Sequence, residues 1–401
     1  MRLVRLELRA FGPFRDVTLK LDAPSAIHVV YGPNEAGKST ALRAITGLFY
    51  GIPHISPDAH THRAEDLRIG GPDTTAPLEH PAGLAIDTQG RIYVSDGQVK
   101  LFSPAGQLIR TVGRDGEGPG EYRSAYLATL GDQLVLQDIA LGRLSVFDSS
   151  GRFLTSWRTT CCAVAVPTVD TLRRIMVWSP SATAQHQYVR YQPDGRVVDT
   201  LRLPPLPPAR LWELRTGFGH WSTGIPFAPQ AVVGVLPATG LVYGWSGEYT
   251  LVATRTGPDT AFLFSLAAPP VPLSEGRRAA ATAEITDFLA RNGRNIGGVA
   301  SEEVARVIRL GDVPTTAPAF EALTADRAGR LWVERGGGDT LHSRYDVFST
   351  TGTFLGPVVA PIRLARYGAT VWTDSSVYTI TEDADGTPAI VRYRLRRGGG
   401  A

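Results

Sequence analysis

The sequence predicts a mainly β protein: a six-bladed β-propeller preceded by a truncated α/β segment built around a phosphate-binding loop. Three observations carry this reading. A turn-and-strand phrase recurs after residue 80 with a period near 45 residues. A complete G-x-x-x-x-G-K-S motif stands at Gly32–Ser39, between a β-branched run and an alanine-bearing stretch. Of the 401 residues, 43 are Gly and 29 are Pro, the supply of turn formers that many short strands require.

At the amino end, "MRLVRLELRAFGPFRDVTLKL" alternates apolar and polar residues, which predicts two short strands around a turn at Phe11-Gly12-Pro13. A buried strand over Ala26–Tyr31 then delivers the chain to the motif, and a helix is expected from about Lys38 to Tyr50. Gly32 and Gly37 permit backbone conformations closed to other residues. The amides of Asn34, Glu35, Ala36, Gly37 and Lys38 can then converge on phosphate oxygens. Lys38 would reach the β- and γ-phosphates, Ser39 would hold Mg²⁺, and Thr40 completes the loop at the positive end of the helix. The expected cofactor is ATP with Mg²⁺, held weakly.

Phe11-Gly12, "GPNEAGKST", "LFYGI" and "DLRIGG" together resemble the amino-terminal piece of a YhaN-type AAA ATPase, a relative of the SMC/RecF-like ABC ATPases of DNA repair. The resemblance covers residues 1 to about 71 and implies a nucleotide-binding lobe. Hydrolysis in such a lobe also needs an acidic strand end to hold Mg²⁺ and activate water, and a serine-glycine signature loop. The nearest match to the first is "LVLQD", Leu134–Asp138, followed by Ile139 where a glutamate is wanted; the second is missing, as is a heptad coiled coil.

The texture changes at "GGPDTTAPLEHP". The expected organisation is a partial P-loop segment over 1–71, a linker over 72–81 and a propeller over 82–397. The recurring phrase is "LFSPAGQLIRTV", "VFDSSGRFLTSW", "RYQPDGRVVDTL" and "VFSTTGTFLGPV", whose first three aromatics, Phe102, Phe147 and Tyr191, stand 45 and 44 residues apart. A second phrase, "IDTQGRIYVSD", is echoed by "ADRAGRLWVER"; both are strand, Asp-x-x-Gly turn, strand. Four short strands per unit at this period is the propeller signature. The blades are placed at 82–114, 125–160, 161–203, 230–268, 320–361 and 364–396, the fourth degenerate. This part resembles six-bladed propellers related to NHL repeats, a resemblance that implies fold and, for function, binding of proteins or ligands. Such relatives often look exported. The propeller is expected to need nothing from residues 1–71, and the abrupt junction reads as a fusion.

"SEGRRAAATAEITDFLARNG" and "SEEVARVIRL" predict two helices within 274–310, either packed on the side of the propeller or closing over one face. Glu117 and Glu121 in "GRDGEGPGEYR" are candidate loop carboxylates, set against a solvated turn. His54, His60, His62 and Asp58 cluster without the spacing of a closed zinc site. Cys161 and Cys162 are adjacent, which implies no disulfide framework. The seven tryptophans are expected between blades, with one or two at the central opening.

A net charge of +3 is too small to argue for nucleic-acid binding. No apolar run reaches the length of a membrane span. Arg2, Arg5 and Arg9 interrupt any signal-peptide core, so the expected location is cytoplasmic. The favoured function is a propeller that binds a protein or small ligand on one face and carries an ATP-binding loop without an intact hydrolytic site. The alternatives are an ATPase of the DNA-repair class and a propeller lyase or hydrolase working at the central opening. The purified protein should therefore bind ATP weakly through Gly32–Thr40 and hydrolyse it negligibly. Turnover that disappears in Lys38→Ala would instead establish a working ATPase.

Overall fold

The computed structural model describes residues 5–11, 14–20, 65–71, 77–159, 166–179, 186–215, 220–238, 240–292, 301–338, 341–366, 368–383 and 386–395. The chain divides into two compact units, Met1–Asp66 and Leu67–Ala401. In the first, strands Arg5–Phe11 and Phe14–Lys20 pair antiparallel, with Phe11 opposite Phe14 at the turn and Arg5 opposite Lys20. This is the hairpin that the alternation predicts. The strand Ala26–Tyr31, the phosphate loop, its helix, the His54–His62 group and the cysteine pair lie outside the described residues.

The second unit is a six-bladed propeller of four-stranded antiparallel sheets. The first blade shows the plan: Gly83–Ile86 inside, then Ile92–Asp96, Gln98–Phe102 and Leu108–Val112 outermost. The following blades run from Tyr126 to Arg158, Thr168 to Arg202, Ala231 to Ser265 and Phe320 to Val359. Second strands are apolar because neighbouring blades cover both their faces; Ile92, Tyr93 and Val94 are all fully buried. The turns from first to second strand in the first, third and fifth blades have a common anchor; the first and fifth are Asp-x-x-Gly, and in the third Arg173, at φ 61°, takes the glycine position. Asp87 accepts the Arg91 backbone N–H at 2.9 Å and its Nε at 2.5 Å, and Asp170–Arg174 and Asp326–Arg330 repeat the pair.

The sixth blade closes the ring in a way the sequence reading does not anticipate. Its inner three strands, Thr370–Trp372, Ser376–Glu382 and Pro388–Arg394, come from the end of the chain, but its outermost strand is Glu65–Gly70. The propeller unit thus starts upstream of the linker expected at 72–81, and "DLRIGG" is a propeller strand. Its role matches that of the other outer strands. The turn glycine of each phrase packs on the outer strand of the preceding blade. A Cβ on Gly151 would lie 3.2 Å from Val112, and one on Gly195 would lie 2.8 Å from Trp157. On Gly106 it would lie 3.0 Å from Leu67 and 3.1 Å from Ile69. Ile69 is buried with Leu78, Leu84, Phe102, Tyr378 and Ile390, which span the sixth and first blades. Gly70 leaves the strand at φ 90°, where a side chain would meet the Pro388 carbonyl at 2.7 Å.

The structure departs from the expectation that the propeller needs nothing from residues 1–71, because one strand of its sixth blade comes from them. Burying Ile69 contributes about 1.5–3 kcal/mol, and removing the strand also leaves a ladder edge of the sixth blade unpaired. A chain starting at residue 65 should keep the full propeller transition. One starting at residue 72 should melt at least ~5 °C lower, and Ile69→Ala should cost about 2–4 kcal/mol in denaturant titration. Equal melting of the two truncations would show that the strand is dispensable.

Candidate functional site

One end of the propeller carries short turns. The other carries the connections from each outer strand to the next blade, and two of these are long. Between the third and fourth blades, Leu211–Arg215 and His220–Gly224 form a hairpin with Trp212 opposite Thr223 and Leu214 opposite Trp221. Between the fourth and fifth blades lie helix α1, Glu275–Asn292, helix α2, Ser301–Ala305, and a 3-10 turn, Leu310–Asp312. The start of α1 is set by Ser274, whose Oγ accepts the Arg277 N–H at 3.3 Å. Its alanines supply helix propensity, and Leu289 and Ile285 supply the apolar face.

The two insertions pack on each other. Trp212, Trp221, Ile225 and Ala228 from the hairpin side share a buried cluster with Leu289, Val304 and Val313 from the helical side. Buried among these, the Trp212 indole N–H donates to Asp312 at 2.9 Å, and Arg278 donates to the Leu310 carbonyl at 3.0 Å. Arg277 fastens this cap to the blades. Its guanidinium donates to the Gly337 carbonyl at 3.0 Å and lies 5.3 Å from the centre of the Phe227 ring. Phe227 holds φ at 59°, a left-handed conformation costly for a bulky residue, and the packing of its ring against the cap cluster maintains it.

Between hairpin and α1 opens a cleft of about 580 Å³, lined by His220, Trp221, Ser222 and Thr223 on one wall and Glu284, Ile285, Phe288 and Leu289 on the other. The volume falls in the range of small-molecule sites. Its wall is apolar at Trp221, Ile285 and Leu289, and Phe288 is 52% exposed on it. Trp212 and Trp221 thus serve the cap, a departure from the expected place between blades. Trp332 and Trp372 do pack between the fifth and sixth blades, stacked at 4.2 Å. The helical half of the cap lies within the expected 274–310, while its hairpin half escapes the sequence reading because it lacks the Asp-x-x-Gly turn phrase. The alternation Leu211, Trp212, Glu213, Leu214, Arg215, answered by Trp221, is the signal that could have found it.

Several charged groups on this face are paired with one another. Arg366 bridges Glu334 at 2.9 Å and Glu321 at closer range, while Arg363 lies 3.6–3.7 Å from both carboxylates. Burial disfavours the Arg366 charge, but the two carboxylates outweigh it and hold its pKa above the ordinary arginine value. The four groups clasp the fifth blade to the connection that enters the sixth. The loop carboxylates are also engaged. Glu121 accepts from the Gly118 N–H and from Arg114, each at 2.7 Å, which keeps it ionised below its usual range, and Glu117 pairs with Arg123 at 2.7 Å. Asp138 of "LVLQD" ends a second strand and accepts the Arg123 N–H and the Ser124 hydroxyl at 2.9 Å each, so it ties down the loop that enters its own blade. Among the described residues no group of three or more His, Cys, Asp or Glu side chains could hold a metal ion, and no helix is long and apolar enough to cross a membrane.

Comparison with known proteins separates the two ends of the chain. Residues 1–86 match the AAA domain family. The amino-terminal end is AAA-like. YhaN of Bacillus subtilis is 30% identical over 164 residues, which cover 38% of this chain and 15% of YhaN. The chain thus spans a small part of the relative's length, and both matches run beyond the Met1–Asp66 unit. The propeller end is similar in structure to a putative exported protein of Bacteroides fragilis, at 12% identity and a TM-score of 0.43, covering 84% of this chain and 98% of that one. A duf4221 family member of Bacteroides vulgatus gives 11% and 0.47, with 83% and 97% covered. Virginiamycin B lyase of Staphylococcus aureus, in an inactive form with quinupristin, gives 13% and 0.38, with 80% and 97% covered. At such identities the likeness concerns the propeller fold alone.

The cap should open without melting the ring. Asp312→Ala leaves the buried Trp212 N–H unpaired, at a cost of about 1–3 kcal/mol. Amide exchange should accelerate through 211–215 and 220–224 while the second strands of the blades keep their protection. Uniform acceleration would show cap and ring to be one cooperative unit.

Proposed function

We propose that this chain is a ligand-binding propeller whose capped face takes a small organic molecule, and that its AAA-like end adds an ATP-binding loop without its own hydrolytic machinery. The observation that carries the reading is the cap. Two insertions from different connections bury tryptophans against each other and still leave a cleft of about 580 Å³ between them. Surfaces of this kind bind, whereas Glu321, Glu334, Arg363 and Arg366 on the same face are engaged in holding blades together. The AAA match and the Gly32–Thr40 motif support nucleotide binding at the other end, with Lys38 on the phosphates and Ser39 on Mg²⁺. A partner that completes the ATPase would act on that end.

The test is a thermal-shift screen of the full chain against a mixed library of small organic compounds. A ligand at a hundred times its Kd stabilises by about 2.7 kcal/mol. Hits should raise the melting temperature of the native sequence and fail to raise that of Ser222→Trp, which fills the cleft from an exposed strand position. Hits that persist undiminished in Ser222→Trp would put binding elsewhere and overturn the cap as the site.

A further inference from the structure

The cleft carries more than a shape, and its chemistry bears on what it accepts; this step rests on the cap being the binding site. Glu284 and Phe288 stand four residues apart on α1, so both project from one face, a turn apart, into the same cleft. The Trp221 indole lines the opposite wall with Ser222 and Thr223. Glu284 makes no hydrogen bond or ion pair with any described residue. Arg215, which faces His220 across the hairpin, has a carboxylate of its own in Glu213 at 3.9 Å. Asp287, also on α1, adds a second negative charge beside Glu284, and on the cleft wall only His220 can carry a positive one. The lining therefore combines an aromatic face, an indole and a carboxylate that has no hydrogen-bond or ion-pair partner among the described residues. That combination attracts a cation whose charge meets the carboxylate while its apolar body lies on the rings.

We propose that the cleft between the hairpin and α1 is a site for a small organic cation, an ammonium group on an apolar or aromatic body. Glu284 receives the ammonium, and Phe288 and Trp221 hold the body. An anion of the same body meets Glu284 and Asp287 with like charge and is rejected. A neutral analogue keeps the apolar contacts alone.

Three probes of matched length decide this by calorimetry on the full chain: 3-phenylpropylammonium, 3-phenylpropanol and 3-phenylpropionate. The ammonium should bind at least about tenfold more tightly than the alcohol, with the carboxylate weakest. Glu284→Gln should remove that preference and leave the melting temperature unchanged, since the side chain is exposed. Phe288→Ala should weaken ammonium and alcohol alike. Equal binding of the three probes, no binding of any, or a charge preference that survives Glu284→Gln would each overturn the cation site. The library screen with Ser222→Trp reads independently of charge, so loss of the cation preference with hits still blocked by Ser222→Trp would refute the ligand class and leave the binding reading standing.

Discussion

The propeller depends on one antiparallel pairing, that of Glu65–Gly70 with the last blade. Each blade is an open sheet with two unsatisfied edges, and its apolar faces are covered only by its neighbours. A ring of such sheets is stable when every interface is filled, so the last blade must be as complete as the rest. It is made from both ends of the propeller unit, so parting first and last blades also means breaking a strand ladder. Ile69 and Leu78 fill the seam from the amino side, and Tyr378 and Ile390 from the carboxyl side. Arg392 adds a bridge from the sixth blade to the Pro104 carbonyl of the first, and Arg327 reaches from the fifth blade to the carbonyls of Ile86 and Asp87.

With the ring closed by its own strands, the connections are free of that task, and the asymmetry of the two ends follows. At one end the turns are short and held by repeated Asp–Arg anchors, which leaves little room for insertion. At the other, each connection has only to travel from the rim to the axis, and length there costs little closure entropy. The two longest build the cap. Arg277, through Gly337, ties that cap to the fifth blade, whose Glu321 and Glu334 are in turn clasped by Arg366 of the next connection. The cap is thus anchored to the blade beside the one that closes the ring.

What was legible in the sequence was what the propeller repeats. The turn phrases need glycine at left-handed φ and an aspartate that ties its own turn, and these recur at fixed offsets; Gly106, Gly151, Gly195 and Gly352 all hold φ between 82° and 90°. The helices were legible through their alanine content and capping serines. The cleft was not, because its walls come from two insertions 60 residues apart that share no motif, and Glu284 gains meaning only beside Trp221. The closing strand was not legible either, since nothing marks it as the missing piece of a sheet 320 residues downstream.

That last failure has a physical basis. An outer strand is the least constrained element of a blade. In Glu65–Gly70 only Ile69 is buried, with Leu67 partly covered and the other side chains largely in solvent. Its backbone supplies the ladder whatever its side chains, and its contact with the next blade requires two apolar residues at alternate positions to receive the turn at Gly106. "DLRIGG" meets those terms and belongs at the same time to the stretch, residues 1–86, that matches the AAA domain family. Such a strand can close a propeller with few demands on its sequence, because the ladder reads backbone and the seam reads only Leu67 and Ile69. The two ends of this chain are joined through a strand that both can claim, and the ring tolerates the joint because it falls where a propeller asks least of side chains.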